Sequence, residues 1–270
     1  LHQQGSFRSA CRFLSVASYD GSMKFPAPLA NKVPAITAGF WVTKILTTAM
    51  GEDASDFLVH RLGNSPAVLT GLAVFCISLY LQFKASRFNR WIYWFAVSMV
   101  SVFGTMAADV LHIGLGIPYS VSAAAFLVTL IASFYIWKRV EGTISISSIT
   151  TTRRELFYWA TVLATFALGT AAGDMTARTW NWGFVSSGFI FAVLFLLPGL
   201  AYKALGLQPV LAFWISYVLT RPFGASFADW FGAPKALGGH GWGYGSPALV
   251  LTVMIVIMVR FSKSKDSADA

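Results

Sequence analysis

Long charge-free stretches alternate along the chain with short clusters of Lys, Arg, Asp and Glu, and this alternation predicts its elements. The charge-free windows are 62–83, 91–108, 110–137, 156–173, 179–202, 204–220 and 236–259. A helix needs about 20 predominantly apolar residues to cross the hydrocarbon core of a bilayer, so each window is a candidate span. An eighth crossing, over 34–57, breaks the pattern because it carries Lys44 and then Glu52, Asp53 and Asp56. The reading is all-α: a polytopic membrane protein of eight transmembrane helices.

A repeat lies beneath the alternation. Every odd-numbered helix contains an aromatic residue, a Trp, nine residues, a Gly, four residues and an Asp. The four instances are Phe40-Trp41 with Gly51 and Asp56, Tyr93-Trp94 with Gly104 and Asp109, Tyr158-Trp159 with Gly169 and Asp174, and Phe213-Trp214 with Gly224 and Asp229. With 23 Gly and 8 Asp in 270 residues, a given Trp meets both by chance about once in 400, and four of the ten Trp do so. The chain therefore divides into a tail (1–32), repeat 1 (33–84), repeat 2 (85–138), a linker (139–152), repeat 3 (153–203), repeat 4 (204–262) and a second tail (263–270). Each repeat is a helical hairpin that crosses twice, so all four share one orientation. A pseudo-fourfold bundle, or a twofold pairing of halves, follows, with the motif helices inside and the plainer helices facing lipid.

At 100° per residue, positions three before the Gly, one after it and five after it share a stripe. The stripes read Thr48/Glu52/Asp56, Ser101/Thr105/Asp109, Phe166/Thr170/Asp174 and Arg221/Ala225/Asp229. The Gly lies well round from its Asp, which suits close packing against a neighbouring helix. The Trp, about four turns away, reads as a packing and membrane-anchoring residue.

Composition agrees with this picture and sharpens it. Hydrophobic residues make up 56% and charged residues 11%, against about 45–50% and 25% in soluble domains. Mean hydropathy is +0.63. Fifteen of the 20 basic residues fall on one side of the predicted spans, which places both termini in the cytoplasm by the positive-inside bias. The net charge of +9 then marks loops beside an anionic leaflet and removes the nucleic-acid reading. Met23, which opens MKFPAPLANKVP just before the first span, is the expected natural start. Cys11 and Cys76 make no disulfide framework or metal motif, and Cys76 reads as a small packing residue.

The scarce charges are where chemistry is expected. Six of 11 acidic residues, Glu52, Asp53, Asp56, Asp109, Asp174 and Asp229, sit in the motif helices. Such carboxylates must face a cavity, a partner or water, and by default they suggest an ion or proton path; the bland alternative is that each Asp merely ends its helix at the headgroups. Asp56, Asp109, Asp174 and Asp229, with Glu52, Thr105 and Thr170 one turn deeper, are the candidate ion-binding residues. The four Asp are also candidate ligands for a hard cation such as Mg²⁺, Ca²⁺, Mn²⁺, Na⁺ or H⁺. Arg221 and Lys44 are candidate counter-ions, and Pro222 is expected to kink or open the seventh helix into a gate; the alternative is a fixed clamp from Arg221 to an Asp that locks repeat 4 to repeat 1. His60 and His112 are candidates for a softer site or a pH sensor, or are simply interfacial. The loop GAPKALGGHGWGYGSP after Asp229 reads as a flexible connector. No nucleophile, zinc-protease motif or catalytic triad order emerges, so the chain reads as a non-enzyme with no cofactor beyond a possible bound cation.

The segments NKVPAITAGFWVTKILTTAMGEDASDF, ALGTAAGD and FWISYVLTRPFGASFADW resemble a bacterial family of integral membrane proteins built from four tandem two-helix repeats of unknown function, each with a characteristic Trp. The resemblance covers 32–262. It implies an eight-helix fold in a bacterial inner membrane and supplies no substrate. Only repeat 1 carries Glu52-Asp53, and only repeat 4 carries Arg221-Pro222, so a central site is not fourfold equivalent. The leading expectation is a cation-binding transporter or exporter with the bilayer and a small cation as partners. The rivals are a membrane scaffold whose Asp residues pair with Arg221, Arg178 and Lys44, and a carrier of small organic cations suggested by Trp230 and Trp242. Oligomeric state is left open.

Overall fold

The computed structural model describes residues 31–262. Met23, Cys11 and the tail residues up to 30 and from 263 lie outside the described residues. Eight α-helices account for most of the rest, with no strand among the described residues: α1 (Ala38–Leu62), α2 (Asn64–Lys84), α3 (Arg90–Asp109), α4 (Tyr119–Glu141), α5 (Thr152–Asp174), α6 (Gly183–Leu205), α7 (Pro209–Gly232) and α8 (Gly245–Phe261). α4 continues past residue 138 to Glu141, so the connection between halves is shorter than the predicted linker.

The motif helices α1, α3, α5 and α7 start at defined points because their first residues are capped. Thr37 accepts from the Phe40 amide, Asn89 from Trp91 and Ile92, and Thr151 from Arg154, while α7 begins on Pro209. A side-chain oxygen satisfies amides that have no partner within the helix, and Pro has no amide to satisfy. The four intervening helices have no side-chain cap.

α1, α3, α5 and α7 form a closed ring in which α1 packs on α3, α3 on α5, α5 on α7 and α7 on α1. The other four lie outside it, and their partners correct the hairpin picture. α2 packs chiefly on α3, α4 on α5, α6 on α7, and α8 returns to α1. Each outer helix thus docks on the motif helix of the next repeat, and the last closes on the first. The outer helices expose apolar side chains such as Leu69, Val128, Leu200 and Leu249.

Five helices are long and apolar enough to cross a membrane by length and composition, α2, α3, α4, α5 and α6, with α3 and α5 extended by the turns after them. α8 is apolar but only 17 residues long, and α1 and α7 carry the charges of the ring's interior. The eight spans of the sequence reading are therefore five such helices, one short apolar helix and two charged inner helices.

Candidate functional site

Residues spaced by four along each motif helix stack into five tiers around the ring axis. From the Trp end they are Phe40/Tyr93/Tyr158/Phe213, Lys44/Val97/Val162/Tyr217, Thr48/Ser101/Phe166/Arg221, Glu52/Thr105/Thr170/Ala225 and Asp56/Asp109/Asp174/Asp229. The first four tiers are buried throughout. In the last, Asp174 and Asp229 are buried, and Asp56 and Asp109 are half-buried.

Two contacts recur four times and set this register. Each motif aromatic packs on the Trp of the following repeat: Phe40 on Trp94 at 5.7 Å between ring centroids, Tyr93 on Trp159 at 5.8 Å, Tyr158 on Trp214 at 6.2 Å, and Phe213 on Trp41 at 5.5 Å. Each motif Gly abuts the residue three before the Gly of the following repeat, Gly51 against Ser101, Gly104 against Phe166, Gly169 against Arg221 and Gly224 against Thr48. A methyl group at Gly104 would lie 2.7 Å from the Phe166 Cβ, so the helices approach closely here. Because equivalent residues meet at equivalent heights, the motif helices run parallel. Trp94, Trp159 and Trp214 are buried, and Trp41 is partly so. They are rungs between repeats, and the exposed Trp residues are instead Trp91, Trp180, Trp182 and Trp242.

The axis is where the repeats differ. The fully buried Arg221 guanidinium pairs with the Glu52 carboxylate and donates to the hydroxyls of Thr105 and Thr170, the latter at 2.8 Å. It also donates to the Thr48 carbonyl at 3.4 Å. Thr105 and Thr170 each donate to the carbonyl one turn back, at 2.9 and 3.1 Å, which leaves their oxygens free to accept from Arg221. One side chain thus ties repeat 4 to the other three. The expected clamp partner was an Asp; the partner is Glu52, because Arg221 sits one tier below it across the ring. α7 is helical without interruption through Pro222, whose ring packs against Gly169 and Gly173 of α5, so the helix is not broken open there.

Lys44 does not serve as counter-ion to Glu52. Its ammonium nitrogen lies 3.9 Å from the Phe166 ring centroid and 4.3 Å from that of Tyr217, is buried, and has no hydrogen-bond partner.

Among the described residues, no group of three or more His, Cys, Asp or Glu is arranged to hold a metal ion. Asp174 is engaged locally by Arg178 at 3.2 Å. That Arg stands on one of two π-helical turns, Val110–Gly114 and Met175–Thr179, which follow Asp109 and Asp174 directly. Such turns widen a helix by one residue and re-aim its side chains. His60 Nδ1 bonds the Asp56 backbone carbonyl at 2.8 Å, and the two ring nitrogens of His112 bond the Ile117 carbonyl and Ser122, so His112 has none left for a motif carboxylate. The loop after α7 folds back on that helix: the amides of His240, Gly241 and Trp242 bond the carbonyls of Trp230, Ala233 and Phe231.

Asp53 was absent from the sequence-derived site. It is fully buried with both carboxylate oxygens unpartnered, against Gly232 of α7, and Oδ1 of Asp229 is also unpartnered. A signal for it existed, since the equivalent positions are Met106, Ala171 and Ser226 and only repeat 1 places a charge there. The remaining described acids lie toward the Trp end and are satisfied. Glu155 binds Lys32 and Gln82, each at 2.8 Å, and Glu141 pairs with Arg153 and Arg154.

Four similarly built units closed into a ring define an all-α repeat protein. The chain belongs to the DUF347 family, Repeat of Unknown Function, whose model matches it four times, over 39–88, 92–143, 157–206 and 212–263. Each match takes in most of a motif helix and the whole of the helix after it. No curated protein and no solved structure matches the chain.

Proposed function

We propose that the chain is an integral protein of the bacterial inner membrane, that all eight helices cross the bilayer with both termini cytoplasmic, and that it binds and transports a small cation. Burial supports eight crossings. Lys44, Glu52, Asp53 and Arg221 face the ring interior, where lipid never meets them. The Trp end, which carries most of the basic loops, is the cytoplasmic one, and the acidic end faces outward.

The observation that carries the transport reading is the pair of buried carboxylates, Asp53 and Asp229, with unpartnered oxygens at the acidic end. A buried carboxylate without a donor is costly unless it holds a cation or a proton. With no three-ligand group present among the described residues, the geometry suits a cation held by one or two carboxylates, such as H⁺ or Na⁺, better than a chelated divalent metal. Asp56 and Asp109 would form the entrance, and the Arg221–Glu52 pair the closed constriction beneath.

The test is flux in liposomes, measured for H⁺, Na⁺, Mg²⁺, Ca²⁺ and Mn²⁺. The wild type carries at least one of them, and Asp53→Asn with Asp229→Asn abolishes that flux while the protein remains monodisperse in detergent. The scaffold reading draws on a specific observation, the contact of Arg221 with all three other repeats. It requires no flux of any cation and lower stability in the same variant.

A further inference from the structure

Lys44 takes no part in the carboxylate chemistry above, and its surroundings are unusual for an ammonium group. Three N–H donors would be buried with no acceptor. The Phe166 and Tyr217 faces attract a cation, yet such contacts replace only part of what water supplies to a charged amine. The Arg221 guanidinium carbon lies 5.9 Å from the same Phe166 ring, so a charged Lys44 would repel it. The adjoining tiers hold no carboxylate, and Glu52, two tiers toward the acidic end, is already paired with Arg221.

The groups facing Lys44 can be named helix by helix. α7 presents Tyr217 and Arg221; α5 presents Tyr158 one tier toward the Trp end; α3 presents Tyr93, whose hydroxyl lies 2.6 Å from that of Tyr158. Glu155 of α5 is held by Lys32 and Gln82. The titratable groups of α2 and α8, which also pack on α1, are Cys76, Tyr80, Lys84 and Arg260, all exposed and turned away. Apart from the Tyr217 ring face, none of these stabilises a positive charge on Lys44 in the closed ring. At the Trp end a cavity of about 780 Å³ is lined by Phe40, Thr43 and Trp94 among others; Lys44 does not line it, and the Phe40 tier stands between the two.

We propose that Lys44 is a proton-binding switch: it is an uncharged amine in the closed ring, and when its lone pair takes up a proton from the cytoplasmic cavity, the new ammonium displaces Arg221 from Glu52. This deepens the cation-transport reading and rests on it only for the purpose the switch serves, the exchange of an outward-side cation against a cytoplasmic proton.

The experiment is ¹⁵N NMR of protein labelled at lysine and arginine in lipid nanodiscs across pH. One of the nine Lys gives an amine signal at neutral pH, is missing from Lys44→Met, and moves to the ammonium position on acidification together with a shift of one Arg guanidinium signal. If Lys44→Met does not fold, the wild-type spectrum still decides, because the other eight Lys stay in the ammonium range. The proposal is overturned if all nine are ammonium at every pH, if the amine never titrates, or if it titrates with no change at Arg. An active transporter with nine ammonium signals would defeat the switch and leave transport standing. A titrating Lys44 in a protein without flux would do the reverse.

Discussion

The packing shell and the axis of the same ring obey different rules. In the shell, the aromatic-on-Trp and Gly-on-helix contacts repeat at all four junctions with the same register. On the axis, only one repeat supplies Lys44 and Glu52, and only one supplies Arg221. A shell contact is made once per junction, so four-fold repetition gives four copies of one good solution. Deep on the axis, four copies of a charged group would meet at one point and repel; the one tier charged in every repeat, Asp56/Asp109/Asp174/Asp229, lies at the end of the ring, where two of its members are half-buried. Symmetric packing therefore coexists with asymmetric charge in the interior tiers.

The comparison is broken most severely by removing one partner of the axial pair. Glu52→Gln leaves Arg221 buried without a counter-charge and is expected to cost about 3–5 kcal/mol, read by SDS-titrated unfolding of the solubilised protein. Combining it with Arg221→Met restores most of the loss, since neither charge is then stranded. Gly224→Ala drives a methyl group into Thr48 and the Ala49 backbone and is expected to lose about 1–3 kcal/mol in the same assay. Gly199→Ala on α6, where no atom lies within 4 Å of the added methyl, instead gains about 0.5–1 kcal/mol. Removal of the α3 cap by Asn89→Ala costs about 1 kcal/mol. The smallest effect falls outside the ring, where Leu200→Ala, at a residue 59% exposed, stays within about 0.5 kcal/mol.

Much of the fold was legible in the chain because its signals are local. The Trp-to-Gly and Gly-to-Asp spacings are properties of single helices with 3.6 residues per turn, so they located the tiers and the stripe that faces the axis. The site was less legible. Register placed Arg221 on the stripe of Asp229 and Lys44 on that of Glu52, yet Arg221 crosses to Glu52 and Lys44 meets two aromatic rings. Partners along one helix follow from spacing; partners across the ring depend on which helix stands opposite. Asp53 was passed over because it lies off the stripe, on a face whose burial depends on α7.

What the sequence by itself determined is the repeat, the start of each inner helix and the height at which every axial residue sits, all set by local geometry and hydrophobic pattern. Only the tertiary structure decided that each outer helix docks on the following repeat and that α8 closes on α1. It also buried three of the four motif Trp residues and chose Glu52 for Arg221. These outcomes depend on ring closure, which brings together residues 173 or more positions apart, and no local pattern encodes such a distance.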